Sequence, residues 1–330
     1  MARFVAVGAG RMGRGIAIAF AYAGHSVDLV DLRTRSSEDL ERLKREVEDE
    51  ISAGLNGLAK LEAMPLDWVP IVARRVRFVE RHAAANAIAE AEMVFEGVPE
   101  TLEAKQDAFE FISRHASPQA IITSTTSSIL VTQLCGMVRE PRRFLNMHWL
   151  NPAYIIPVVE LSQHPGTDPA VLERTKSLME SIGKVPVVCG ATPGYIVPRL
   201  QALMMNEAAR MVEEGAATAE DIDKATRYGL GLRFAAIGVV EFIDFGGCDI
   251  LHHASREMSQ TVDASRYAAP PIVQRMVEQG KLGLKTGVGF HDYRNIDLGA
   301  YRLGVLGRVM GLLRHVGLWR PPQQSDQGQP

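Results

Sequence analysis

The chain has 330 residues, 46% of them hydrophobic, with a net charge of −3 and a pI near 6.3. That is ample material for two packed domains, since single cores usually stop growing near roughly 250–300 residues, and the balance excludes the basic face of a nucleic-acid binder. Cys135, Cys189 and Cys248 stand far apart with no CxxC pair, which excludes a disulfide framework and points to inert thiols in a reducing compartment.

The opening MARFVAVGAGRMG is already strand and loop, so no leader is expected there. No window offers the about 20 apolar residues of a membrane span, and a cytoplasmic protein without a membrane partner is expected. RFVAVGA reads as a buried strand and RGIAIAFAYAG as a helix stopped by Gly24, followed by the strand HSVDLVDL. Residues 36–62 read as a charged helix opened by Ser-Ser-Glu-Asp, the first arm of a helical excursion continuing to about 75. Short apolar strands then recur between helical segments: VRFVE, AEMVFEGVPE, AIITSTTSS, FLNMHW and VPVVCG. Such alternation predicts an α/β fold with a parallel sheet covered on both faces.

The alternation ends near 190, and from there to about 280 the pattern is helical, with breaks expected at 229–238 and 244–248. The expected domains are 1–191, with the excursion at about 36–75, and an all-α domain over 192–295. An additional amphipathic helix over 296–319 and a disordered Pro/Gln-rich tail over 320–330 complete the chain.

Gly8, Gly10 and Gly13 spell G-A-G-R-M-G between a strand and a helix, with Arg11 and Met12 inside the loop. Glycines at these places permit a tight turn, backbone approach to a pyrophosphate, and close helix–strand packing. The helix N-terminus offers N–H groups to the phosphates. Asp31 closes the second strand, where a carboxylate binds a ribose 2′-OH and repels a 2′-phosphate. A Rossmann-type doubly wound sheet binding NAD rather than NADP is predicted, with Arg33 nearby as the group that would suit a 2′-phosphate.

In the apolar stretch NMHWLNPAYIIPVVEL, His148, Asn151 and Glu160 stand out, because a buried carboxylate is costly unless it is paired. Histidine suits proton abstraction near neutral pH, and a carboxylate on its far nitrogen would fix the tautomer. Ser127, after a strand ending in TSTTSSI, reads equally as a ligand-side hydroxyl at a sheet edge and as a helix N-cap. Asn151 before proline is also an ordinary turn former. His252 and His253 are adjacent and diverge on a helix, so no metal site is expected.

HWLNPAYIIPVVEL resembles the H-x-x-N-P…E signature of the L-3-hydroxyacyl-CoA dehydrogenase family. GAGRMG, VPETLEAKQ, TTSSI, TPGYIV and KLGLKTGVGFHDY extend the resemblance in the family's order to about residue 293. It implies His148 as base, Glu160 as its partner, and Ser127 and Asn151 around the reacting oxygen. It further implies Glu100 and Lys105 near the nicotinamide-side ribose, a small-molecule 3-hydroxyacyl substrate, and a helical second domain that forms a homodimer. Apolar residues on several faces of LQALMMNEAARMV agree with such a contact.

Three departures bear on substrate. Pro198 stands where the family motif G-F-I-V-N-R has asparagine, and Asn206 lies eight residues on. GLRFAAIGVVE replaces P-M-G-P-F-E, lengthening the approach to Glu241 and adding Arg233. The 38–62 excursion is acidic, its cations Arg42, Lys44, Arg45 and Lys60 outnumbered by carboxylates. These features resemble the lambda-crystallin or L-gulonate 3-dehydrogenase branch, whose substrates are free 3-hydroxy acids. Arg199 and Arg233 are the candidate clamps for a free carboxylate. The leading expectation is NAD-dependent 3-hydroxyacyl-CoA dehydrogenation, such as that of 3-hydroxybutyryl-CoA. A free-acid dehydrogenase and a non-catalytic, crystallin-like dinucleotide binder are the alternatives.

Overall fold

The computed structural model describes residues 3–321, and the chain divides at Met205/Asn206 into two compact units. The first is built on one eight-stranded sheet of order β3-β2-β1-β4-β5-β6-β7-β8. Its elements in chain order are β1 (Arg3–Val7), α1 (Arg11–Tyr22), β2 (Ser26–Val30), α2 (Ser37–Lys60), α3 (Val69–Ala73), β3 (Val76–Val79), α4 (Arg81–Ala89) and β4 (Met93–Glu96). After these come α5 (Leu102–His115), β5 (Ile121–Ser124), α6 (Val131–Leu134), β6 (Phe144–Trp149), β7 (Val158–Ser162), α7 (Pro169–Ser181) and β8 (Val185–Cys189). Phe4, Val5, Ala6 and Val7 are all fully buried, as a strand covered by helices on both faces requires. Order reverses between β1 and β4, and ligands of such sheets bind beyond the strand ends at that reversal.

Ser36 accepts from Asp39 N at 3.1 Å to start α2, and Leu43, Val47, Ile51 and Leu55 form its buried stripe.

The sheet departs from the all-parallel expectation at one pair, since β6 and β7 run antiparallel. Only residues 150–157 separate them, whereas a parallel crossover needs about a dozen residues or more. The chain must turn back directly. Its register sets His148 opposite Glu160, and directly opposed residues point to the same face.

α8 (Val197–Glu213) crosses from the first unit into the second. The second unit continues with α9 (Ala219–Lys224), α10 (Leu232–Ala236), α11 (Val239–Gly246), α12 (Cys248–Thr261), α13 (Ala264–Tyr267), α14 (Pro271–Glu278) and α15 (Leu298–His315). The break expected at 229–238 is mostly absent. A π-helical stretch, Ala225–Gly231, carries the chain straight into α10, and only 237–238 interrupt it. At 244–248 the break shrinks to Gly247, in a positive-φ conformation.

Cys248, Val273 and Met276 form this unit's small core. Buried Asp244 accepts from Phe290 N and His291 N, both at 2.8 Å, and from Tyr293 Oη at 3.2 Å. A Cβ on Gly289 would stand 2.0 Å from Asp244 Oδ1 and one on Gly283 2.2 Å from Asp244 O, so these two glycines of KLGLKTGVGFHDY serve the close approach. The additional helix ends at His315 rather than 319, where Gly317 takes φ +71. It is held by Tyr301 Oη on Glu241 (2.5 Å) and Arg308 Nε on Ala236 O (2.7 Å). The tail expected at 320–330 lies, from 322 on, outside the described residues.

Candidate active site

At the end of β1, Gly8 adopts φ +109 and its N–H donates to Val30 O at 2.8 Å. A Cβ there would lie 2.5 Å from Gly97 O, and one on Gly13 would lie 2.1 Å from Gly8 O. These two glycines are therefore demanded by packing. Gly10 differs: a Cβ there meets nothing within 4 Å, and no side chain caps α1 behind it. The open space at Gly10 and the uncapped N–H groups of the first turn fit a pyrophosphate. Arg11 is exposed beside the loop, while Met12 packs against the core.

The loop opens on a cleft of about 1050 Å³ whose lining includes Asp31, Arg33, Arg35 and Val98. Asp31 is 5% exposed. Arg33, the basic group singled out in the sequence, reaches it only through its backbone N–H at 3.4 Å, whereas the guanidinium bonded to the carboxylate is that of Arg35. Sequence reading overlooks Arg35, because a spacing of four residues brings side chains together on a helix and residues 31–35 are not helical.

Beyond β4 a polar network is built around Lys105, whose Nζ lies 3.0 Å from both oxygens of buried Glu96 and 3.2 Å from Glu100. Glu100 Oε1 accepts from Thr126 Oγ1, from Ser127 N at 3.0 Å, and from Ser128 N at 3.1 Å. Burial pushes the Glu100 carboxyl up, but the Thr126 and Ser128 bonds and the Lys105 charge outweigh it and hold the pKa at about 2. Glu100 thus pins, as a carboxylate, the loop that presents Ser127. Ser127 itself is exposed and caps no helix, since α6 begins only at Val131.

His148 Nδ1 lies 2.8 Å from Glu160 Oε2, with the histidine 7% exposed and the glutamate fully buried. Glu160 Oε1 accepts from Ile196 N and Val197 N, both at 2.8 Å, at the start of α8. A carboxylate there faces the positive end of the helix dipole, so the buried charge is compensated on two sides. A carboxylate only accepts, so the proton of this contact sits on Nδ1 and Nε2 is left free to take one. Tyr195, which sequence reading passes over, stacks on the imidazole with centroids 4.6 Å apart and planes at 15°. Asn151 is exposed on the turn after β6.

The structure thus brings together His148 with Glu160, and Ser127 with Glu100 and Lys105. Arg199 is exposed on α8 in a small cleft with Pro193, Gly194 and Pro198. Arg233 belongs to the second unit, its guanidinium 4.9 Å above Phe242. Among the described residues no group of three or more His, Cys, Asp or Glu is placed to hold a metal, and no helix is long and apolar enough to cross a membrane.

Two family models match the chain, the NAD-binding domain of 3-hydroxyacyl-CoA dehydrogenase over residues 4–192 and its C-terminal domain over 194–293. A 3-hydroxybutyryl-CoA dehydrogenase of Mycobacterium tuberculosis is 32% identical over 290 residues, covering 87% of this chain and 96% of that protein. A 5-formyl-3-hydroxy-2-methylpyridine 4-carboxylate 5-dehydrogenase of Mesorhizobium japonicum is 30% identical over 288 residues, covering 87% and 89%. The solved 3-hydroxyacyl-CoA dehydrogenase of Archaeoglobus fulgidus superposes with a TM-score of 0.74 at 28% identity, covering 97% of this chain and all of that one. By these matches the chain belongs to the 3-hydroxyacyl-CoA dehydrogenase family, NAD-dependent oxidoreductases acting on a CH–OH group.

Proposed function

We propose that the protein reversibly oxidises the 3-hydroxyl of a 3-hydroxyacyl-CoA to a 3-ketone, with His148 and Glu160 handling the proton. Bound NAD supplies the acceptor for the hydride that leaves the carbon. Gly8, Gly10, Gly13 and the first turn of α1 would hold its pyrophosphate, Asp31 the adenine-side ribose, and Glu100 with Lys105 the other ribose. As the hydroxyl loses its hydrogen, Nε2 of His148 takes the proton, and Glu160 stabilises the imidazolium that results. Ser127 and Asn151 hold the reacting oxygen. In the reverse direction His148 returns the proton to the alkoxide.

What carries the reading is the buried contact of 2.8 Å between His148 Nδ1 and Glu160 Oε2. Its test is His148→Ala, assayed by NADH absorbance with 3-hydroxybutyryl-CoA. A kcat lower by about 10²–10⁴-fold with NADH affinity retained supports it, and unchanged turnover removes it.

A free 3-hydroxy acid as substrate is the second reading. Arg42 and Lys44 of α2 are already engaged, Arg42 with Asp39 and Glu46, Lys44 with Glu41 and Glu80. That leaves these two cations ill suited to coenzyme A phosphates, and Pro198 offers no side-chain donor. A substrate panel comparing thioesters with gulonate and other free acids, run with NAD and NADP in parallel, separates the two. No turnover with any of them, alongside tight NADH binding, would favour a non-catalytic binder. A homodimer is proposed under either reading, since α8 leaves Leu203, Met204 and Met205 largely exposed, and size-exclusion chromatography tests it.

A further inference from the structure

We infer that Tyr195 is a positioning residue for the proton-transfer pair: its ring seats the His148 imidazole, and its hydroxyl locks that imidazole to the loop carrying Ser127. The inference rests on the reading of His148 as base.

Four observations converge on this residue. The ring lies nearly parallel to the imidazole, at 4.6 Å and 15°, and is 7% exposed. Its hydroxyl donates to Thr126 O at 2.8 Å and accepts from Asn146 Nδ2 at 3.2 Å. Asn146 Nδ2 also donates to Ile129 O at 3.0 Å, so both bonds of the hydroxyl lead to the segment that carries Ser127. The backbone of Tyr195 holds φ +47, directly after Gly194 at φ +81. An aromatic side chain stays in that region only where its surroundings over-determine it. The turn so formed is followed by the two N–H groups, of Ile196 and Val197, that bind Glu160 Oε1 at 2.8 Å.

Residues 195–197 therefore grip both members of the pair at once, the histidine through a ring and the glutamate through two amides. A phenylalanine would fill the same space and keep the stack. What it would lack is the hydroxyl that relates the base to the Ser127 loop. Burial pushes the phenol pKa well above its ordinary range, so the hydroxyl remains a donor to Thr126 O across the working pH. An aromatic face over the imidazole also favours the cation formed as the base is protonated.

Tyr195→Phe and Tyr195→Ala are compared with His148→Ala, measuring kcat, KM for the hydroxyacyl substrate, NADH affinity and thermal midpoint. The expected kcat loss is about 3- to 10-fold for Phe, the worth of neutral hydrogen bonds, and about 10²-fold for Ala, the effect of a base misplaced by an ångström. NADH affinity stays at the wild-type value in both. Wild-type kcat in Tyr195→Phe overturns the inference, as do losses in Phe that sit in KM alone or in NADH affinity. Should the Ala variant not fold, the Phe variant decides alone. An active His148→Ala sinks the assignment of the base itself, whereas an inactive His148→Ala beside a fully active Tyr195→Phe sinks only the role given to Tyr195.

Discussion

His148 and Glu160 are paired twice over: they stand directly opposite in the β6–β7 register, and their side chains meet at 2.8 Å. The backbone pairing makes the side-chain contact cheap, because both residues are delivered to one face before any rotamer is chosen. The chemistry of the contact depends on charge. In Glu160→Gln the amide keeps its bonds to Ile196 N and Val197 N through the oxygen, but turns an NH₂ donor on Nδ1. The ring must then carry its proton on Nε2, the atom proposed to accept one. We expect kcat to fall about 10³–10⁴-fold with the fold and NADH affinity intact, the size of loss found when a triad carboxylate becomes an amide. Steady-state kinetics beside a thermal melt check it, and a fall of less than tenfold would show that the carboxylate only supports the loop.

Glu100 yields a pH prediction. Its pKa is about 2 in the folded protein against an ordinary 4.5. A depressed carboxylate contributes stability that is fully present above about 4.5 and is lost as pH falls through about 2. Urea titrations of the wild type and Glu100→Gln should differ at neutral pH and converge across that window. The gap should be modest, because the side chain is about a third exposed and its ion pair is partly screened. A gap that does not change between pH 5 and pH 2.5 would remove the ionic role.

Lys184 is a buried cation that, among the described residues, hydrogen-bonds to backbone alone. Its Nζ donates to Ala153 O at 2.7 Å and Ile156 O at 2.9 Å, closing the turn between β6 and β7 that presents Asn151. Burial lowers its pKa from 10.5. Lys184→Met leaves both carbonyls unpartnered and should cost about 1–3 kcal/mol. Since the folded pKa lies below the unfolded one, the folded chain binds fewer protons just below pH 10.5, and stability rises with pH there. The wild-type advantage over Lys184→Met should therefore widen as pH climbs toward 10.5, measured by denaturant midpoints. A constant or shrinking advantage would contradict the buried ammonium.

What the sequence makes legible is whatever depends on local pattern. Apolar β-branched runs such as RFVAV mark strands because both faces are covered, and G-A-G-R-M-G marks its turn because Gly8 and Gly13 have backbone where a Cβ would be. The antiparallel return at β7 was also legible in principle, since the gap after Trp149 is too short for a crossover, yet strand–helix alternation elsewhere masks it. Tyr195 and Arg35 were not. Their importance arises from tertiary neighbours, His148 and Thr126 in one case and Asp31 in the other, and neither lies in a run whose period betrays it. The segment around 229–238 misleads for a related reason: Gly229 and Gly231 read as breakers, while the π-helical stretch keeps both in a continuous helix.

The glycine loop permits the sharpest separation of fold from function. Gly13→Ala drives a Cβ to 2.1 Å from Gly8 O and to 3.2 Å from Leu29 Cδ1, so backbone must shift in the heart of the sheet. Such overpacking commonly costs about 1–3 kcal/mol, and a lower thermal midpoint should accompany any loss of binding. Gly10→Ala introduces a Cβ with nothing within 4 Å, so the empty protein should melt as the wild type does. The same methyl would stand at the site proposed for the pyrophosphate at the start of α1, and NADH affinity should drop by about 10-fold or more, the equivalent of roughly 1.4 kcal/mol. Fluorescence titration with NADH beside calorimetry of the unliganded chains measures both. If Gly10→Ala binds NADH normally, the dinucleotide does not lie against this loop. If it melts early without ligand, Gly10 serves the fold, and the open space beside it is no cradle.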